Sequence, residues 1–175
     1  MSVNVVFEKL NDFRVYMDGT SDLKGVVDIT LPSFEHMTES VKGAGIAGEY
    51  ESPNIGHFQS MKITLNWRVF NYDLSQLLAP VSRKIDCRGA TQKLDAATGK
   101  YVMEAVRVLI QGTPTKVEPG KLEKGSPYEA STEIEATYIK IDIDGRNVVE
   151  LDKLNYKYVV NGTDYLADVR KALGM

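Results

Sequence analysis

Between His57 and Phe70 the chain alternates in polarity, with Met61, Ile63, Leu65, Trp67 and Val69 on one parity and Ser60, Lys62, Thr64, Asn66 and Arg68 on the other. Successive side chains of a strand point to opposite faces, so the run predicts an extended segment with one dry side and one wet side. At ~3.4 Å per residue it would reach on the order of 45 Å, well beyond the usual strand of about five or six residues. A second alternating run starts at Lys24, with Val27, Ile29 and Leu31 opposite Asp28 and Thr30. Pro32 then requires a bend or an edge, because proline cannot donate to a ladder. Two long half-wet strands, joined through Gly43-Ala44-Gly45-Ile46-Ala47-Gly48-Glu49-Tyr50, suggest a wall or a tube.

The chain has 175 residues, 43% of them hydrophobic, enough for one domain with a core that needs no staples. Its lone Cys87 cannot form an internal disulfide and reads as a buried or semi-buried thiol of a protein made in a reducing compartment. The first residues carry no basic region followed by an apolar run, and no stretch of eighteen apolar residues occurs. Synthesis in the cytoplasm without membrane insertion is therefore expected. A net charge of −3 and scattered basic residues argue against tight nucleic-acid binding, which depends on Lys and Arg displacing condensed counterions.

Several apparent motifs dissolve in their context. Gly43-Ala44-Gly45-Ile46-Ala47-Gly48 has the spacing of a dinucleotide-binding fingerprint. The strand before it alternates, however, and Tyr50-Glu51-Ser52-Pro53 after it cannot open a crossover helix, so no cofactor is expected. His36 and His57 lack Cys or His partners at metal-binding spacing. Glu133 and Glu135 line one face of a strand, and Asp142 with Asp144 begins a calcium-type loop whose later ligand positions hold Arg146, Val148 and Val149. No catalytic set, cofactor site or metal site emerges, and an enzyme is not expected.

Along the rest of the chain, the apolar segment with Val3, Val5, Val6, Phe7 and Leu10 forms an arm (residues 1–20) that must be covered by its own domain or by a neighbour. Asn71 or Asp73 caps a short helix carrying Leu74, Leu77 and Leu78 and stopping before Pro80. Residues 83–94 and Tyr101–Gln111 are strands around the hairpin loop Asp95–Lys100, the second covered on both sides. Residues 113–128 form a solvated loop. Ser131–Ile143 is a strand whose apolar parity switches from Ile134, Ala136 and Tyr138 to Ile139, Ile141 and Ile143, which calls for a bulge near Tyr138. Asp144-Gly145 marks a hairpin returning along Val148–Val160, and Asn161-Gly162-Thr163 is a turn before a helix over 164–173 with Gly174 as its cap.

The run Leu31-Pro32, Glu39, Lys42, the glycine-rich loop, Leu65-Asn66-Trp67, Asp144-Gly145 and Asn161-Gly162-Thr163-Asp164-Tyr165-Leu166 with Arg170, Leu173 and Gly174 resembles, in order and spacing, the major tail tube proteins of contractile-tailed bacteriophages. Many relatives carry an acidic residue where Asn66 stands, and the stretch 113–128 differs freely. The resemblance implies a mainly β fold: two packed antiparallel sheets, a sandwich or partial barrel with one or two short helices, oligomerising as six copies into a large β-barrel ring. Stacked rings would form the inner tube through which DNA leaves the capsid, in a virion tail assembled in the bacterial cytoplasm. Implied partners are further copies of the chain, the tail sheath around the tube, and baseplate, tape-measure and tail-terminator proteins, with DNA present only in transit. Parity then assigns Lys62, Thr64, Asn66, Arg68, Glu133, Glu135 and Thr137 to the channel lining. The arm 41–56, with Gly43, Gly45, Ile46, Gly48 and Tyr50, and the N-terminal segment, with Val5 and Phe7, are assigned to contacts between subunits or rings. The tube of a phage-tail-like bacteriocin, a type VI secretion needle ring, or a β-sandwich ligand-binding module are the alternatives; the last would display its aromatics in loops, whereas Trp67, Tyr138, Tyr156 and Tyr158 fall in strand-like segments.

Overall fold

The computed structural model describes residues 4–19 and 21–175; Val3 lies outside them. A long hairpin forms the spine: β8 (Lys100–Glu118) pairs with β9 (Ala130–Ile143) over nearly the whole length of β9. The other edge of β9 is shared. Residues 130–135 pair with β6 (Lys62–Trp67), whose far side carries β3 (Val26–Thr30), while residues 138–143 pair with β10 (Arg146–Asp152). On its other side β8 pairs over residues 100–112 with β7 (Arg83–Asp95), which carries β1 (Val5–Met17) and then β2 (Ser21–Asp22). β11 (Lys157–Val160) and β12 (Thr163–Asp164) extend the sheet beyond β10.

This single ten-stranded sheet folds over itself because the spine turns a corner. The register passes from Gln111–Tyr138 to Gly112–Ala136, leaving Thr137 as the extra residue of a bulge. The bulge switches parity: Ala130, Thr132, Ile134 and Ala136 are buried before it and Ile139 after it. At the corner a Cβ on Gly112 would run into the Glu135 carbonyl, so only glycine fits. The small layer β3-β6-β9-β8 thereby faces the larger layer, and Met61, Ile63, Leu65, Trp67, Ile134, Val15, Met17, Ile85, Val108 and Ile110 share one core. Cys87 is in that core, where burial, aided by Asp86, pushes its thiol up to about 12. Helix α1 (Tyr72–Gln76), capped by the Asn71 side chain accepting from the Leu74 N–H at 2.9 Å, adds Leu74 and Leu77.

The strands of the large layer cross over the small one. β8 leaves the small layer at Gly112, on the edge farthest from β3, and by Val106 it lines a cleft together with Ile29 and Leu31 next to β3. Six residues at ~3.4 Å give about 20 Å, enough to cross three inter-strand spacings of ~4.8 Å. β8 then continues to Lys100, so the outer parts of β1, β7 and β8 run past β3 as a three-stranded tongue.

Several expectations are corrected. The alternating run is not one long strand: β6 ends at Trp67, Val69 is exposed, and β5 (Glu49–Phe58) belongs to a separate two-stranded sheet with β4 (His36–Lys42). The glycine-rich stretch is the tip of this projecting β4–β5 arm. Val27 is exposed because a bulge between Val26 and Asp28 breaks the parity, and Leu31 is exposed past the end of β3. Residues 113–118 are strand, Pro114 being tolerated where β8 has a neighbour on one side only, so the loop shrinks to 119–129. The tongue contradicts the expectation that Tyr101–Gln111 is covered on both sides, since Tyr101, Val102 and Met103 are exposed. Val148–Val160 is two strands, split where the Asp152 carboxylate accepts from the N–H groups of Leu154 and Asn155 and Tyr156 takes a positive φ. Leu78 is exposed, and the C-terminal helix α2 is shorter than expected, Ala167–Ala172, with Leu173 exposed and Gly174 at φ 74°.

Candidate functional site

Residues directly opposite in a ladder point to the same side, so the registers of the small layer define rows across its open face. One row is Asp28–Asn66–Ser131–Glu118, the next Thr30–Thr64–Glu133–Lys116, the third Lys62–Glu135–Thr113. The opposite face of the same strands holds Ile63, Leu65, Trp67, Thr132 and Ile134, all buried. Alternation thus divides these strands into a core side and an uncovered polar side.

The polar side is tied together within the chain. Asn66 Nδ2 donates to Asp28 Oδ1 at 2.6 Å, Ser131 Oγ to Glu118 at 3.0 Å, and Lys62 Nζ meets Glu133 at 3.3 Å. Glu135 accepts from Ser60 Oγ at 2.6 Å and from the Met61 N–H at 3.0 Å. Lys116 lies 2.7 Å from Glu118, which raises the lysine and lowers the carboxyl from their ordinary values through the hydrogen bond between them. Asp28, Glu118, Glu133 and Glu135 stand against Lys62 and Lys116 in these rows, with Arg68 beside them and Lys153 3.7 Å from Glu135, so four acidic groups meet four basic ones and the face carries no basic excess.

Of the seven residues assigned to a lining, Lys62, Thr64, Asn66, Glu133 and Glu135 come together here and none is buried. Arg68 stands past the end of β6, its N–H donating to the Gly25 carbonyl, and is exposed beside that face. Thr137 separates from the group. The bulge places it in a cleft with Lys84, Leu109, Tyr138 and Asp152 on the large layer. Asp28, Thr30, Thr113, Lys116, Glu118 and Ser131 join the face without having been assigned to it. The register of the β4–β5 hairpin, carried down the chain, would have placed Asp28 opposite Ile63; the shift between His36 and Thr38, which no sequence signal marks, brings it opposite Asn66, and the strand nature of 113–118 is hidden by Pro114.

Both lateral edges of the small layer are unpaired among the described residues: β3 on one side, residues 113–118 of β8 on the other. The residues assigned to contacts are also uncovered. Gly43, Gly45, Ile46, Gly48 and Tyr50 occupy the exposed tip of the β4–β5 arm, and Phe7 is exposed on the tongue with Val5 half-buried beside it. The arm is braced at its root by an aromatic cluster. The Phe58 ring lies 5.9 Å from Phe34, 4.4 Å from His36 and 5.0 Å from Tyr158, and Leu166 fills the space above Gly56. Among the described residues no group of three His, Cys, Asp or Glu is placed to hold a metal, and no helix is long and apolar enough to cross a membrane.

A mainly β subunit with a polar open face, free strand edges and uncovered apolar strips has the form of a structural building block. Residues 7–174 match the family described as phage tail tube protein FII. The chain is 27% identical over 173 residues to the tail tube protein of Escherichia phage P2, covering 95% of this chain and 97% of that one. It is 24% identical over 179 residues to the major tail tube protein of Serratia phage KSP20, covering 96% of each. A chain from the cryo-EM structure of an extracellular contractile injection system, its PVC sheath/tube terminator in the extended state, shares the fold at a TM-score of 0.54. That likeness covers 75% of this chain and 94% of that one at 14% identity. The chain belongs to the phage tail tube protein family.

Proposed function

We propose that the chain closes into hexameric rings that stack into the inner tube of a contractile tail, a conduit through which DNA is ejected into the host. The observation that carries this reading is the pair of open edges. Along the small layer β8, β9, β6 and β3 run alternately up and down, so a neighbour's β8 laid against β3 is again antiparallel. Every copy adds an even number of strands, and copies can follow one another head to tail without a break in pattern. Closure removes edges that would otherwise template aggregation. With six copies, about 24 strands spaced ~4.8 Å and tilted ~40° enclose a barrel on the order of 45 to 50 Å across at the backbone, wide enough for duplex DNA.

The polar rows, with Arg68 beside them, then line the bore, where a wall without a basic excess keeps contacts with DNA weak and transit fast. The arm tip and the segment containing Val5 and Phe7 meet neighbouring subunits or rings. The outer surface faces the tail sheath, and the tube ends meet the baseplate, tape-measure and terminator proteins of a virion tail assembled in the host cytoplasm. The test is oxidative crosslinking of assembled protein carrying Thr30→Cys with Thr113→Cys, or Asp28→Cys with Lys116→Cys, read on denaturing gels beside negative-stain images. A ladder ending at six chains, with stacked rings in the images, is expected. Dispersed monomers with no ladder from either pair at high concentration would overturn the reading.

A further inference from the structure

The tongue is too exposed to be finished as it stands. On its inward side the ladder aligns Phe7 with Lys93 and Val102, and Leu10 with Thr91 and Glu104. Phe7, Leu10 and Val102 are 66%, 51% and 49% exposed, although this is the face that farther along the same strands buries Val15, Cys87 and Val108. Among these apolar groups Lys93 and Glu104 point inward as an ion pair of 2.6 Å, with side chains only 15% and 14% exposed and the ammonium 5.2 Å from the centre of the Phe7 ring. A charge pair already stripped of most of its water, at the centre of an uncovered apolar patch, is the arrangement of an interface whose other half is absent.

Position identifies the other half. The tongue passes over the open edge of β3 and extends about 20 Å beyond it, while a four-stranded layer is only about 15 Å wide. Three strands and seven residues give the tongue a face on the order of 10 by 24 Å, far below the roughly 800 Å² per partner of a stable interface. It cannot hold a partner alone, but whatever joins the edge of β3 arrives beneath it. The cleft of about 250 Å³ at its root, lined by Leu10, Phe13, Ile29, Leu31 and Val106, opens on the same side.

We propose that the inward face of the tongue is a docking surface for the next copy of this chain in the ring, the copy whose β8 joins β3, and that Lys93 and Glu104 form the polar pair of that interface. This rests on the ring reading above. Docking removes the last water from the pair, so loss of either partner strands a charge in the closed interface, whereas replacement of both by apolar residues leaves a dry, packable surface.

The test compares Lys93→Met, Glu104→Met and the double variant in the full chain, with thermal melts for folding and sedimentation for tube formation. Each single variant is expected to stay folded and to raise the concentration needed for assembly by about tenfold or more, with the double variant returning to within about threefold of the parent. Phe7→Ser, at a site outside the monomer's core, is expected to impair assembly similarly and decides the matter if a single charge variant fails to fold. Single variants that assemble like the parent, or a double variant as impaired as they are, would overturn the proposal. The Thr30→Cys and Thr113→Cys crosslink separates the two levels. If it forms in the parent and is unchanged in yield in every tongue variant, the tongue has no role and the ring reading stands. If neither cysteine pair crosslinks in otherwise unaltered protein and only dispersed monomers are seen, the ring reading itself falls.

Discussion

Asp86 sits on the outer side of the large layer with its side chain only 7% exposed, between two guanidinium groups that face each other across the β7–β8 ladder. Arg88 donates to it through Nε and Nη2 at 3.1 and 2.8 Å, and Arg107 through the same atoms at 2.9 and 2.8 Å. Like charges directly opposite in a sheet repel, so the carboxylate is what allows Arg88 and Arg107 to be neighbours. Burial acts to raise its pKa, but the hydrogen bonds from Arg107 and Arg88 outweigh that and hold it below the usual carboxylate range. A depressed folded-state pKa stabilises the fold above the unfolded value of ~3.9, and that contribution is lost as pH falls through the folded value. Asp86→Ala should lower stability by about 2–3 kcal/mol at neutral pH, and the gap between variant and parent should shrink below about pH 4. Urea unfolding at pH 7 and pH 3 checks both. Nothing in the sequence pointed to Asp86, because its two partners are set by a strand pairing that parity cannot supply.

At the scale of elements, the β4–β5 arm shares no ladder with the main sheet and takes its direction from the C-terminal segment. Tyr158 and Tyr165 stack near the Phe58 ring, Leu166 is buried against Gly56, and Arg170 holds the segment by donating to the Tyr156 carbonyl at 2.7 Å and to Asp164 at 2.6 Å. Leu166→Ala opens a void at this brace and should cost about 2–4 kcal/mol. Hydrogen exchange should then show residues 36–58 losing protection before the spine does; equal loss in both would mean that the arm has no separate anchor. Local signals were legible in the sequence where chemistry is local: the Asn71 cap, the Asp144-Gly145 turn with φ of 46° and 74°, and the parity switch from Ile134 to Ile139. They were misleading where a long-range partner decides. The run from His57 to Phe70 spans two elements in different sheets, and Pro114 looks like a loop residue until β8 is seen to have a free edge there.

At the scale of the whole molecule, five of the seven residues assigned to a lining lie on one open face, because alternation with one buried side leaves no freedom about the other. Thr137 lies off this face because a bulge shifts phase by one residue, and the sequence located the bulge only to within a position. The absence of a basic excess on this face should set how an assembled tube treats DNA. Glu133→Lys combined with Glu135→Lys changes the balance by four charges per copy. Such tubes should retain duplex DNA at low salt and release it steeply as salt rises, while parent tubes retain little under either condition. Filter retention of DNA over a salt series checks this, and identical retention by both would place the face away from the bore.

If copies join edge to edge as proposed, the corner at Gly112 and Thr137 and the second register shift between Pro114 and Lys116 would set how sharply each copy curves relative to the next. Edge pairing by itself would accept any number of copies, since an even strand count suits five, six or seven alike. On that reading calibre would belong to those irregular residues, and a lesion there should yield pipes of the wrong gauge instead of a protein that fails to polymerise.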